Sequence, residues 1–408
     1  MATYYNNYQL SKRFGIGASQ IRVWIDKSLE GKNNLQVEEV KQKTNDIKKY
    51  QIMVNEHNEI ELERLFQHGK VSRRHVGKKV IDFYPDTLKI FNSKQLHELI
   101  SAIKVKYIPL KFTYMHEGAA DWDRYIKSGL KEKKYTATTD TQNQLNQLMP
   151  YLMSLKDDGM QINVIDVGSG NFLPVSNFIK ELDNKRILNK YIAIDISSEL
   201  LEITRLEAVK ILPQSKVCTI QGDIEIENFQ ELCRSNAGDK ILNIFLFVGG
   251  TFGSFLDSNI VLRHLRDSMD EKDILIFSNK LEENKYKVAF NHVIENDHQL
   301  LWIPEMLGFE TLKCPFFARY DEQSDARLIG ITLDQDYQLR FHLGGDIVSE
   351  IFLQSGEELL LWHHKMTQLE GFLQHLSNTG LRTLSFITTK KSLLATFICM
   401  PKTLKDRI

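Results

Sequence analysis

Five apolar runs, at 162–167, 191–195, 217–220, 241–248 and 273–277, are rich in Ile, Val, Leu and Phe and too short for buried helices. Between them, the segments 174–182, 198–212 and 257–269 repeat apolar residues at helical spacing. Short strands alternating with amphipathic helices predict an α/β fold with a parallel sheet. The alternation stops after residue 280 and does not resume for about a hundred residues. Two β-rich runs, 383–388 and 393–399, then flank the polar turn Thr389-Lys390-Lys391-Ser392, which predicts a closing hairpin.

The first hundred residues follow a different pattern. Leu10 and Phe14 share one helical face, Gly15 permits a turn, and Ile21, Trp24 and Ile25 share the buried side of a second helix. This resembles the winged helix-turn-helix start of MerR-type regulators and excisionases. Residues 1–107 hold 19 Lys/Arg against 12 Asp/Glu, whereas the rest holds 33 against 41, so a basic module precedes an acidic body. The stretch 70–79 is densely basic. Arg22, Lys27, Arg73 and Arg74 are the candidate contacts to a nucleic acid or a protein partner.

With 408 residues, 42% hydrophobic and 26% charged, the chain has room for two or three soluble globular domains. Its four cysteines lie too far apart for a zinc site and are too sparse for a disulfide framework, which favours reduced thiols and a cytoplasmic setting. No apolar run approaches the ~18 residues that cross a bilayer, and the first residues lack the features of an export signal. The domain plan expected is a basic module at 1–107, a substrate lobe from 108–145 with 281–375, and a nucleotide-binding domain from 146–280 with 376–408.

The chemistry-bearing residues fall at strand ends. Asp166-Val167-Gly168-Ser169-Gly170-Asn171 follows the first strand and precedes a helix. Gly168 and Gly170 let the backbone turn sharply and approach a ligand. The third glycine of a dinucleotide fingerprint and the Gly-Lys-Ser/Thr of a phosphate loop are both missing. Asp195 ends the second strand, where a carboxylate can take both ribose hydroxyls. Asp223 follows the third, placed to meet an adenine amino group. Gly249, Gly250 and Thr251 follow the fourth. The carboxyl edge of a parallel sheet is where such folds bind ligands.

Residues 108–408 resemble the S-adenosylmethionine (SAM)-dependent histidine Nα-methyltransferases of ergothioneine biosynthesis, with the fungal dimethylallyltryptophan N-methyltransferases. The resemblance runs through Pro109 to Tyr114, Gly118, Trp122-Asp123, Tyr135 to Asp140, Val167 to Asn171, Ile194 to Ser197, Gly222-Asp223, Leu246 to Phe255 and Arg340 to Leu343. It implies a Rossmann-like sheet with a C-terminal hairpin, and SAM as the methyl donor. Asp166, Gly168, Ser169, Gly170, Asn171, Asp195, Asp223, Gly249, Gly250 and Thr251 would hold SAM. Tyr114, Tyr135 and Ser254 would face the acceptor.

The acceptor half departs from the family. Ser254 stands where the family has an asparagine for the α-amino group. The family's Glu-x-Ser pair has no counterpart after Gly356-Glu357, and its paired aspartates are missing from Asn279-Lys280-Leu281-Glu282. An N-methyltransferase for an amino acid or related amine other than free histidine is therefore expected. The alternatives are an enzyme recruited to a nucleic acid or protein by its N-terminal module, and a regulator that senses SAM. His363-His364 does not suggest a metal site, because adjacent side chains diverge, but it offers one histidine to the acceptor pocket.

Overall fold

A computed structural model describes residues 4–5, 10, 24–25, 27–29, 35–40, 49–53, 55, 57–58, 60–62, 78–85, 90–131, 137–235, 240–281, 298–344, 348–365, 367–389 and 394–403. The chain divides into two compact units, Met1–Lys79 and Val80–Ile408.

In the first unit, β1 (Tyr4–Tyr5), β2 (Val37–Val40) and β3 (Lys49–Met53) form an antiparallel sheet in the order β1-β3-β2. The helical reading of this region did not foresee that sheet. Leu10, Trp24, Leu35, Ile52 and Leu62 cluster as a small core. The buried Asn58 side chain donates to the Gln36 and Met53 carbonyls and accepts from Gln36 N, which stitches strand to strand. Lys27 is exposed. Most of the expected helix-turn-helix lies outside the described residues, as do Arg22, Arg73 and Arg74.

The boundary falls earlier than the expected 107 because an amphipathic helix intervenes. Helix Ser93–Lys104 is opened by a capping box, in which Asn92 and Gln95 satisfy each other's backbone N–H groups. It buries Leu99, Ile100 and Ile103 in the second unit's core. Its basic residues are the solvated face of a helix that belongs to the larger unit.

The main sheet contains β5 (Gln161–Val167), β6 (Leu188–Asp195), β7 (Val217–Gln221), β8 (Ile241–Phe247) and β9 (Ile274–Lys280), all parallel. The sequence pattern placed each of them. One face of β5 carries Ile162 and Val164 against helices Ala137–Ser154 and Ser176–Asn184. The other carries Ile165 and Val167 toward helix Ser258–Asp267. Burial on both faces explains why these strands read as continuous apolar runs rather than alternating ones.

Five further strands belong to the lobe: β10 (Phe316–Asp321), β11 (Ala326–Thr332), β12 (Asp336–His342), β13 (Val348–Leu353) and β14 (Glu358–Lys365). They form two three-stranded sheets, β10-β11-β14 and β13-β12-β4, where β4 is Lys78–Phe83. Phe83 stacks on Phe341, and the lobe core also takes in Trp302 of helix His298–Met306.

The hairpin of β15 (Leu381–Thr388) and β16 (Leu394–Pro401) completes the main sheet, in the order β15-β16-β9-β8-β5-β6-β7. The last strand thus lies inside the sheet, antiparallel to both neighbours. A buried polar chain fixes it there. Ser278 of β9 bonds Thr396 at 2.7 Å, Thr396 donates to Gln144, and Gln144 donates to the Leu394 carbonyl at 2.9 Å.

One glycine decides whether the lobe closes. Helices Leu110–Thr113, Glu117–Lys131 and His298–Met306 meet at Gly118, where a Cβ would come within 1.8 Å of the Thr113 oxygen and 2.5 Å of Trp302 Nε1. Those two atoms are themselves hydrogen-bonded at 3.1 Å. Gly118→Ala should therefore cost roughly 1–3 kcal/mol, the usual range for overpacking. Chemical denaturation checks this. A variant as stable as the parent would show that the three helices have room to separate.

Candidate functional site

A cavity of about 700 Å³ opens along the carboxyl edge of the parallel sheet, between its strand-end loops and the lobe. The loop after β5 forms part of its floor. Gly168 and Gly170 adopt positive φ values of 71° and 57°, which only glycine takes without strain. A Cβ on Gly170 would stand 3.4 Å from the Trp122 indole nitrogen. Trp122 is held over the loop because the next residue, Asp123, accepts a 3.0 Å bond from Asn171 Nδ2. From below, Thr204 Oγ1 donates to the Gly170 carbonyl at 2.8 Å.

Asp195, at the end of β6, lines the cavity with its carboxylate already fixed. Gly170 N donates to Oδ2 and Ser197 N to Oδ1, both at 3.0 Å. Each oxygen keeps a lone pair for a ligand hydroxyl. Burial raises its pKa to about 6, against the pull of these backbone donors. Ser169 Oγ and Asn171 Oδ1 are buried in the same wall with no partner among the described residues. Polar atoms left this way suit a nucleoside or amino-acid ligand.

Asp223 occupies the expected place after β7, but not alone. Lys111, which is 8% exposed, reaches its Oδ2 at 2.9 Å, Glu98 at 2.5 Å and Glu225 at 3.6 Å. Burial pulls the lysine pKa down, and the charges of Glu225 and Asp223 more than restore it, so it stays above the ordinary lysine value. An adenine amino group would share Asp223 with this ammonium.

Asp166 departs from its expected role. It lies on the face of β5 turned toward the helices, 1% exposed, and accepts a 2.7 Å bond from the Tyr191 hydroxyl. It does not line the cavity. Side-chain alternation along β5 explains this, since Val167, one residue on, faces the cavity instead. Burial pushes the Asp166 pKa to about 7, opposed by the Tyr191 bond and aided by Asp195.

The opposite end of the cavity is built from the lobe and the loop after β8. Gly249, Gly250 and Thr251 line it, the two glycines at φ 105° and 85°. Ser254 is buried, with its Oγ 3.2 Å from His364 Nδ1. Register explains which histidine enters. On the paired strands β11 and β14, Arg327 lies opposite His364 and Ile329 opposite Trp362, and these four share one face into the cavity. His363 falls on the other face, edge-on to Tyr107. Trp362 and His364 stack with their planes 9° apart. Burial first, then the charges of Lys280 and Arg327, lower the His364 pKa to about 3, so this imidazole is neutral at ordinary pH.

Tyr114 lines the cavity, edge-on to Trp122 at 5.4 Å between ring centroids. Tyr135 lies outside the described residues. Sequence reasoning missed Lys111, Lys280, Arg327 and Trp362 as cavity residues. Lys280 ends a parallel strand, so the strand-end rule that found Asp195 also reaches it. The other three depend on tertiary contacts that no spacing encodes.

The two raised carboxyls predict how stability varies with pH. Asp166 and Asp195 bind their protons more tightly in the folded chain than in the unfolded one, where the value is about 4. Their contribution is complete below that value and is lost as pH rises through about 6 and about 7. Asp166→Asn, which keeps an acceptor for Tyr191, should flatten the upper part of this fall. Thermal midpoints from about pH 5 to about pH 8 test it. Parallel curves for parent and variant would mean that Asp166 does not titrate in this range.

Several solved structures resemble the chain at low identity. An SAM-dependent methyltransferase from Clostridium acetobutylicum is 11% identical, with a TM-score of 0.42, over 70% of this chain and 99% of its own. A glycopeptide N-methyltransferase is 10% identical, with a TM-score of 0.33, over 66% of this chain and 92% of its own. An amino pentose methyltransferase from Micromonospora echinaspora is 9% identical, with a TM-score of 0.34, over 68% of this chain and 97% of its own. These likenesses concern the fold alone. No curated protein matches the chain in sequence. The family profile for histidine-specific, SAM-dependent methyltransferases matches residues 92–401, from the capped helix of the lobe to the last strand of the sheet, and the chain belongs to that family.

Proposed function

We propose that this SAM-dependent methyltransferase N-methylates a small amine, an amino acid or a relative of one, other than free histidine. The observation that carries the proposal is the buried pair of Ser254 and His364 at the acceptor end of the cavity. Whichever of the two carries the proton of that bond, the Ser254 oxygen keeps at least one lone pair for an incoming N–H. The side chain is also too short to act as the family's asparagine does.

Asp195, the glycine loop after β5, Ser169 and Asn171 would hold SAM, with Asp223 and its Lys111 partner at the adenine end. Bound SAM supplies a methyl group whose carbon–sulfur bond breaks as the acceptor's lone pair bonds to carbon. The protein must bring the lone pair in line and keep it unprotonated. Tyr114, Trp122 and Trp362 shield the amine from water. The amine's surplus proton leaves for solvent, since the neutral His364 is too weak a base to keep it.

A second reading rests on charge. Residues 1–79 hold 15 Lys/Arg against 9 Asp/Glu, which suits recruitment to a polyanion such as a nucleic acid. Arg73→Ala with Arg74→Ala should then weaken the full chain's low-salt shift of duplex DNA or RNA. Electrophoresis reads this, and an unchanged shift removes both arginines from any such contact.

Two measurements test the main reading. Asp195→Ala should weaken SAM binding by about tenfold or more in calorimetry, since one lost charge-assisted contact is worth roughly 1.5–3 kcal/mol. An unchanged affinity would take Asp195 out of the donor site. Cell extract incubated with the protein and isotopically labelled SAM should yield a product labelled on nitrogen by mass spectrometry. L-histidine alone should be a poor acceptor, and its efficient conversion to the trimethylated form would overturn the proposed specificity.

A further inference from the structure

Charge is unevenly spread around the cavity wall. The acids among its described lining residues are Glu98, Asp195, Asp223 and Glu225, all at the β6 and β7 end. Lys111 neutralises part of that group. The other end carries Lys280, from the tip of β9, and Arg327, from β11. Three strand spacings separate β9 from β6 in the sheet, roughly 14 Å at the usual interstrand distance. The acids at one end therefore do not neutralise Lys280 at the other.

Lys280 is the more telling of the two cations. Its stem packs beside Gly250, where a Cβ would stand 3.3 Å from Lys280 Cγ, so the residue borders the loop that faces the donor. It forms no ion pair or hydrogen bond with any described residue. Burial, then the charge of Arg327, lowers its pKa. Bound SAM adds a sulfonium nearby. A desolvated ammonium in such company needs an anion, and leaving it unpaired is costly.

Resting on the reading of this end as the acceptor pocket, we propose that Lys280 and Arg327 form an anion subsite and that the methyl acceptor is a small acid. It carries a carboxylate or a phosphate as well as its nucleophile. The anion offsets the lysine, and Arg327 on the same wall adds to the attraction. The same positive field favours the unprotonated form of a neighbouring amine, which is the form that attacks. The stacked Trp362 and His364 give the acid's body a flat wall.

The test measures binding alone, so it stands apart from the site of methylation. The full chain, saturated with S-adenosylhomocysteine, is titrated by calorimetry with benzoate, phenyl phosphate and neutral benzamide. At least one anion should bind about tenfold more tightly than benzamide, the worth of one charge-assisted bond. The tighter of the two identifies the acid as carboxylate or phosphate. Lys280→Met should remove this preference. Lys280→Arg should retain it, and serves as the guide if the methionine variant folds poorly. Benzamide binding as well as both anions, or an anion preference that survives Lys280→Met, would overturn the subsite. A labelled methyl group found on oxygen or carbon would instead overturn the N-methylation reading and leave the subsite standing.

Discussion

One buried ammonium joins the lobe to the sheet. Lys111 leaves the short helix Leu110–Thr113, itself part of the lobe, and ends among Glu98, Asp223 and Glu225. Two of those acids belong to the loop after β7, on the far side of the cavity. Without the lysine, three carboxylates would face one another with little water to screen them, which explains why burial and Lys111 act on Glu225 in opposite directions. The cluster holds Glu98 of the capped helix, the lobe segment leading to Tyr114 and the loop after β7 in register. The cavity's shape follows from that registration.

The remaining wall depends on alternation. Successive strand residues point to opposite faces, so a shift of one residue in β14 would exchange His364 for His363 and Trp362 for Leu361 in the cavity. The irregularity in the β11–β14 pairing falls between Ile329 and Gly330, just beyond the four cavity residues. Gly330 accommodates it because a Cβ there would meet the Leu359 carbonyl at 2.3 Å. The backbone irregularity thus begins where the cavity face ends, with Ile329 the last of the four.

The main sheet and the strand-end residues that line the cavity were legible because their determinants are local. A strand, a glycine turn and a helix lie within about twenty residues, and the acids that matter end strands whose apolar runs are plain. Asp166 was misplaced because a strand-end acid can face either side, and sequence alone does not say which. The lobe was opaque for the opposite reason. Its strands are partly exposed and paired out of sequence order, as when β4 joins β12 across more than two hundred residues. Arg327 and His364 meet only through cross-strand register. Helix Ser93–Lys104 was assigned by charge to the basic module, whereas its apolar stripe commits it to the larger unit.

The position of β16 inside the sheet has a consequence for how the chain is made. Strands β5 to β9 can pair in turn as they leave the ribosome, and helices can cover them at once. The outer edge of β9 stays bare until residues 394–401 arrive, because β16 is the strand that pairs with it. β15 emerges first but has its place one position further out. During that interval the nascent protein carries an unpaired, apolar strand edge, the feature most prone to join another chain.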